Sequence, residues 1–450
     1  MKSLKGLANK IDLDKAVIFG LVSKTWGIIA GPVTALLIAT FFTSSLQGYY
    51  YTFATLLALQ MFVELGLGTV IQMFASHEWA KLSFDDKQQI VGDEDSISRL
   101  ISTSRIAFKW FSIGSLIAAI GLLIGGYLFF STSANYHINW LGPWVSLAIL
   151  TGINISLAPF WSILEGCNQV KTLYGFRILQ AVALNLSIWI AIMCGAGLWS
   201  ASIGSLVSII SAVIFLKTKY YAFFKKLILG KTTGPQINWK GDMLPMQWRI
   251  AVSWISGYFT FSLFTPILFK YQGPEIAGQF GMTWNIVIAL GTLAGSWLSP
   301  KIPLFGMYVA QANYVQLDKL LIKTVKIIFA IIVFNSFMAW GFVYMLPFFK
   351  YDLAHRLSSR ILPPLPLFLL LVAQILVVTS TPFSAYIRAH KKEPLMLLSV
   401  FSGFFVAIFT FFLGKKYSAL GVSAGYLLVN MFAIPIVLII WYRFRKKVLV

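Results

Sequence analysis

Twelve apolar runs of about 18 to 27 residues recur along a chain of 450 residues, and that recurrence leaves few architectures open. They fall near residues 16–42, 50–74, 106–130, 140–164, 174–194 and 199–216 in the first half. In the second half they fall near 250–269, 277–298, 327–346, 365–387, 395–413 and 419–441. At 1.5 Å per residue, a helix of that length covers the roughly 30 Å of hydrocarbon in a bilayer. The chain is 58% hydrophobic and only 11% charged, where soluble domains carry about 25%. The expected fold is therefore an all-α polytopic membrane protein with twelve transmembrane helices, here called spans one to twelve.

The net charge of +21 would suit a nucleic-acid partner if it were clustered, but the basic residues sit in short groups between apolar runs. Counted on alternate sides of the twelve spans, 29 of the 36 Lys and Arg fall on one side and 6 on the other, with Lys24 inside span one. That bias makes the first side cytoplasmic and puts both termini there. No nucleic acid is implied. The first fifteen residues are polar and basic, and the first apolar run is too long for a signal core, so no cleavable signal peptide is expected. Cys167 and Cys194 lie in or beside apolar segments and predict no disulfide framework.

The basic stretch 217–249 divides the chain into a first six-helix bundle (1–216), a cytoplasmic linker (217–249) and a second six-helix bundle (250–450). Both halves then enter the membrane from the same side, which predicts parallel repeats about an axis along the membrane normal. Two sequence echoes support a repeat. Pro159-Phe160 precedes Glu165-Gly166 at the end of span four, and Pro382-Phe383 precedes Arg388-Ala389 at the end of span ten. More faintly, Gly48-Tyr49-Tyr50 before span two matches Gly278-Gln279-Phe280 at span eight.

Enzyme motifs find little support. His77-Glu78 begins like a zinc-protease HExxH, but Lys81 stands where the second histidine belongs. Gly66-Leu67-Gly68 lies inside an apolar run with no strand before it, and Asp93-Glu94-Asp95 reads as a solvated acidic loop. Four histidines and no long soluble domain leave acid–base or metal catalysis without residues, so the chain is expected not to be an enzyme and to need no cofactor.

Charges inside the spans carry more information, because an unpaired ion near the bilayer centre is costly. Lys24 in span one and Glu64 in span two fall at about 12 and about 15 Å from the same cytoplasmic edge, so an ion pair between them is expected. Gln60, Glu64, Gly68 and Gln72 recur every fourth residue and would form one polar strip on span two. Gly20, Gly27 and Gly31 would form a small-residue strip around Lys24 for helix packing. Arg249 opens the second half; Arg388 and Glu165 close spans ten and four. These seven, Lys24, Glu64, Gln60, Gln72, Arg249, Arg388 and Glu165, are the candidate cavity residues. Arg177 and Lys270 read as side chains snorkelling to the interface. The outer loop with Lys350, Asp352, His355, Arg356 and Arg360 reads as an amphipathic segment on headgroups.

The six-plus-six arrangement, the span-two stretch from Leu56 to Ala80 and the run from Ile163 to Val170 resemble the polysaccharide flippases of the multidrug/oligosaccharidyl-lipid/polysaccharide (MOP) exporter superfamily, the O-antigen (Wzx-type) branch in particular. The resemblance implies two six-helix bundles facing a central cavity that opens alternately to cytoplasm and periplasm in a bacterial cytoplasmic membrane. It implies an undecaprenyl-pyrophosphate-linked oligosaccharide as cargo, moved between leaflets without covalent chemistry, with H+ or Na+ coupling open and other polysaccharide-assembly membrane proteins as partners. Lys24 and Arg249 would serve the anionic pyrophosphate, with Glu64 as acidic partner. Two other readings stay open: a cation-coupled multidrug and toxin exporter of the same superfamily, and a polytopic sugar polymerase or glycosyltransferase.

Overall fold

A computed structural model describes residues 15–85, 89–132, 138–390, 392 and 394–449. The side chains of residues 15–25, 28, 249, 253, 303, 448 and 449 lie outside the described part. The structure is helical almost throughout, as the composition demands. Among the described residues nine helices are long and apolar enough to cross a membrane, and a bent pair makes a tenth. Met396–Leu449, one of the nine, has non-helical backbone at Tyr417 and Ser418 and covers the stretches expected as spans eleven and twelve.

The chain folds as two compact units. The first comprises the described residues up to Ala30 together with Leu57–Ile255; the second comprises Gly31–Leu56 and Ser256–Val450. Helix α1 (Lys15–Phe41) runs through both, and α2 (Ser44–Leu57) lies almost wholly in the second.

In the first unit the chain continues through a 3-10 turn (Ala58–Gln60) into α3 (Met61–Glu64) and α4 (Leu67–Trp79). A short antiparallel hairpin, β1 (Leu82–Phe84) with β2 (Ile90–Gly92), pairs Leu82 opposite Gly92. Then come α5 (Glu94–Ser131), α6 (Leu141–Gly166), α7 (Val170–Met193) and α8 (Trp199–Lys219). The stretch 217–249 is folded: it holds α9 (Tyr221–Leu229) and a π-turn (Trp239–Met243) leading into α10 (Leu244–Phe261). The acidic triplet is the start of α5, where the Asp93 carboxylate accepts a hydrogen bond from the Ser96 amide at 2.9 Å. Bonds from Ser96 hold that carboxyl below its ordinary range. The zinc-like pair is also structural: Glu78 is buried, and Arg99 Nε donates to it at 3.0 Å.

The second unit adds α11 (Phe264–Gln272), α12 (Pro274–Gly295), α13 (Ile302–Ala310), α14 (Tyr314–Met345), α15 (Asp352–Arg360), α16 (Pro364–Ala389) and α17 (Met396–Leu449). Its helices α2 and α12 meet at Gly48 and Gly278, the two glycines of the faint echo. A Cβ at Gly278 would stand 2.8 Å from the Gly48 amide nitrogen, and one at Gly48 would overlap the Pro274 carbonyl. Buried Gln47 tightens the contact, its Nε2 donating to the carbonyls of Gly278 at 2.9 Å and Arg360 at 3.0 Å. The outer loop does form a short helix, α15, but its last residue does not reach for headgroups. Arg360 turns inward and donates to the Phe42 carbonyl.

Two helices of the two units match in length and in proline placement. Helices α6 and α16 are both 26 residues long, each with a buried proline at its third position (Pro143, Pro366) and another seven residues before its last residue (Pro159, Pro382). A proline inside a helix removes one amide donor and frees the carbonyl four residues earlier.

Candidate functional site

Span two is not the continuous helix the sequence suggested. Leu65 (φ 45°, ψ 31°) and Gly66 (φ 68°, ψ 8°) both adopt left-handed backbone, ending α3 at Glu64 and restarting the helix at Leu67. The helical stretch Ser44–Glu64 and the one that restarts at Leu67 are bent by 47° at this break. Gly66 takes this conformation without strain, whereas Leu65 pays a steric penalty of about 1–2 kcal/mol. The reason for the break lies in its neighbours. Ile250, in α10, occupies the space a Cβ on Gly66 would fill, so only glycine fits. Val63 fills the space above Gly114 of α5. The Val63 carbonyl accepts the Trp110 indole N–H at 3.1 Å. Trp110 leans on Trp239 at 5.5 Å, and Trp239 donates to Gln247 at 2.8 Å. In the second unit Trp284 likewise donates at 3.0 Å to the carbonyl of Phe261, where α10 ends.

The break corrects the expected polar strip. Gln60 lies in the 3-10 turn and Glu64 ends α3, while Gly68 and Gln72 belong to α4, so the four do not share one helix face. Helix α4 instead lies on α6: a Cβ at Gly68 would stand 2.9 Å from Ser162 Oγ, and one at Gly166 would stand 2.6 Å from the Gln72 carbonyl oxygen.

Glu64 is half-buried and has no hydrogen bond or ion pair among the described residues. It stands just before the N-terminus of α4. The first amides of a helix have no partner within it and carry partial positive charge, which favours an anion there. Arg249 immediately precedes the residue that overlies Gly66, so the backbone of α10 brings the break and the Arg249 position together. The side chains of Arg249 and Lys24 lie outside the described residues, and so does the expected Lys24 to Glu64 pair. Gln60 and Gln72 are half-buried within the same unit.

Glu165 is ion-paired. Arg177 Nη2 holds it at 2.9 Å, and the snorkelling expected of Arg177 gives way to this pair. Arg388 is exposed in the last turn of α16. Of the small-residue strip on α1, Gly20 lies outside the described side chains, and Cβ atoms at Gly27 and Gly31 would meet nothing within 4 Å among the described residues. What the sequence reading missed is the packing at the break: Ile250 against Gly66, Ser162 against Gly68 and Trp110 on the Val63 carbonyl. Its one visible signal was Gly66-Leu67-Gly68 directly after an intramembrane glutamate. Among the described residues no group of three or more His, Cys, Asp and Glu could hold a metal ion.

No family model matches the sequence, and no curated protein matches it. Solved structures do match. An inward-facing multidrug resistance MATE transporter of the MOP superfamily is 14% identical, covers 97% of this chain and 99% of its own, and superposes with a TM-score of 0.63. The fold is that of MOP transporters. The lipid II flippase MurJ in an inward closed conformation, also 14% identical, gives 0.62 over 94% of this chain and 87% of its own. A MOP transporter from Pyrococcus furiosus, whose binding pocket is described as reversed in polarity, is 15% identical and gives 0.53 over 96% of this chain and 94% of its own. The MOP fold thus covers drug exporters and a lipid flippase alike.

Proposed function

We propose that this chain is a multi-pass flippase of the bacterial cytoplasmic membrane that carries an undecaprenyl-pyrophosphate-linked oligosaccharide from the inner to the outer leaflet by alternating access. The observation that carries the reading is the interruption of span two. Discontinuous membrane helices turn their N-termini toward anionic cargo. Here that terminus opens at Leu67, beside Glu64 and against the residue that follows Arg249. Lys24 and Arg249 are the proposed pyrophosphate ligands. Glu64 is the proposed acidic switch, paired with a cation in the empty state and released when the cargo or an H+ or Na+ ion takes its place, so that the two states differ in which charges are satisfied. The transfer moves a lipid and breaks no covalent bond.

One observation favours a second reading. Glu64 is a half-buried carboxylate with no cationic partner among the described residues, and an acidic cavity suits an organic cation. The MATE neighbours are multidrug transporters by their own descriptions. Proteoliposomes loaded with lipid-linked oligosaccharide separate the two. The flippase reading expects cargo to reach the outer leaflet, with Glu64→Gln lowering the rate at least tenfold and flattening its dependence on pH or sodium. Full transport by that variant with an unchanged ion response would remove Glu64 from the mechanism. Efflux of organic cations without lipid movement would install the exporter.

A further inference from the structure

The end of α17 carries a second cluster of cations that the transport reading does not use. Ile440, Arg443, Phe444 and Lys447 recur three and four residues apart and share one helix face. With Lys446, and with Pro394 from the turn before α17, they line a cavity of about 740 Å³, well inside the range of about 300–1,000 Å³ that holds small ligands. Its floor is apolar: Pro394, Ile440 and Phe444. Phe444 is steadied by the His390 ring, which meets it edge-on at 5.1 Å. Its rim is cationic, and Arg443, Lys446 and Lys447 are exposed with no hydrogen bond or ion pair among the described residues. Arg445, in the same run, is excluded from the rim because Asp318 holds it through Nε at 2.8 Å and Nη2 at 2.5 Å. That pair fixes the rotation of the helix end and leaves the other three cations around the cavity. Ile439 and Ile436, one and two turns before Arg443, are exposed apolar side chains, which place the cavity at the border of the lipid-facing surface.

We propose that this cavity binds an anionic phospholipid of the adjoining leaflet, its phosphodiester among Arg443, Lys446 and Lys447 and its acyl chain along Ile440 and Phe444. Three cations uncompensated among the described residues call for an anion, and clustered Lys and Arg at a helix end attract anionic headgroups. An apolar floor calls for a hydrocarbon chain on the same ligand, which a soluble polyanion lacks. Charges that served insertion alone would need no cavity.

Native mass spectrometry of the full-length protein tests the site, with phosphatidylglycerol and phosphatidylethanolamine added in equal amounts. A preference of about tenfold for phosphatidylglycerol is expected. It should vanish in the triple variant Arg443→Ala, Lys446→Ala, Lys447→Ala and survive in Lys415→Ala, Lys416→Ala, which removes cations elsewhere. If the triple variant is not recovered, Arg443→Gln alone must reduce the preference at least threefold. Equal binding of the two lipids, or an unchanged preference in the cavity variants, would overturn the site. Displacement of the lipid by inorganic pyrophosphate would assign the anion subsite to a different ligand and overturn it too.

Discussion

At the scale of single residues, the break in span two depends on two neighbouring residues, Leu65 and Gly66, that share a left-handed backbone. Gly66 has both a left-handed backbone and Ile250 against its α-carbon, so Gly66→Ala combines backbone strain with overpacking and is expected to cost about 2–5 kcal/mol. Leu65→Gly removes the strain at φ 45° and should be neutral or stabilising. Thermal melting of the purified variants reads both, and equal melting of wild type and Gly66→Ala would show that the break is adaptable. Asp93 supplies a pH test. Its folded carboxyl titrates below the ordinary value because Ser96 binds the charged form. Its contribution is therefore complete above the unfolded pKa of about 3.9 and lost as pH falls through the lower, folded value. Asp93→Ala should melt earlier than wild type at neutral pH, and the gap should close under acid; a gap that persists there would mean the cap does not act through its charge.

At the scale of elements, the buried prolines at matching places in α6 and α16 and the indole N–H groups at helix breaks do the same work in both halves. The breaks leave carbonyls without partners, and Trp110 and Trp284 satisfy two of them. The ion pair between Glu165 and Arg177 ties α6 to α7 across the turn at Asn168, where φ is 57°. Because Arg177 remains substantially exposed, the pair is worth less than about 1 kcal/mol. Glu165→Arg should therefore slow transport mainly by leaving like charges together, and adding Arg177→Glu should restore it; a double variant as impaired as the single would give Glu165 a role of its own. The apolar runs were legible in the sequence because span length is set by bilayer thickness, and the Pro-Phe echo because proline forces the same local backbone wherever it recurs. The interruption after Glu64 was not legible, since a glycine pair is common in unbroken membrane helices and what decides the matter is Ile250, nearly two hundred residues away. Nor was the partner of Arg177 legible, because its distance to Glu165 depends on a left-handed turn at a non-glycine residue.

At the scale of the whole molecule, a sequence that matches no family model takes the MOP fold at 14% identity to its structural neighbours. Such divergence is possible because the fold is held by span length, by small residues at crossings and by satisfied backbone, none of which fixes a particular side chain. Cargo is fixed by particular side chains, and the account rests on Glu64, Lys24 and Arg249 serving a pyrophosphate-linked sugar lipid. The most direct measurement is mass spectrometry of lipid extracts from a strain lacking this chain, complemented with wild type or Glu64→Gln. The account predicts that undecaprenyl-pyrophosphate oligosaccharide accumulates in the deletion, clears with wild type and stays high with Glu64→Gln. An unchanged lipid profile in the deletion strain would contradict it.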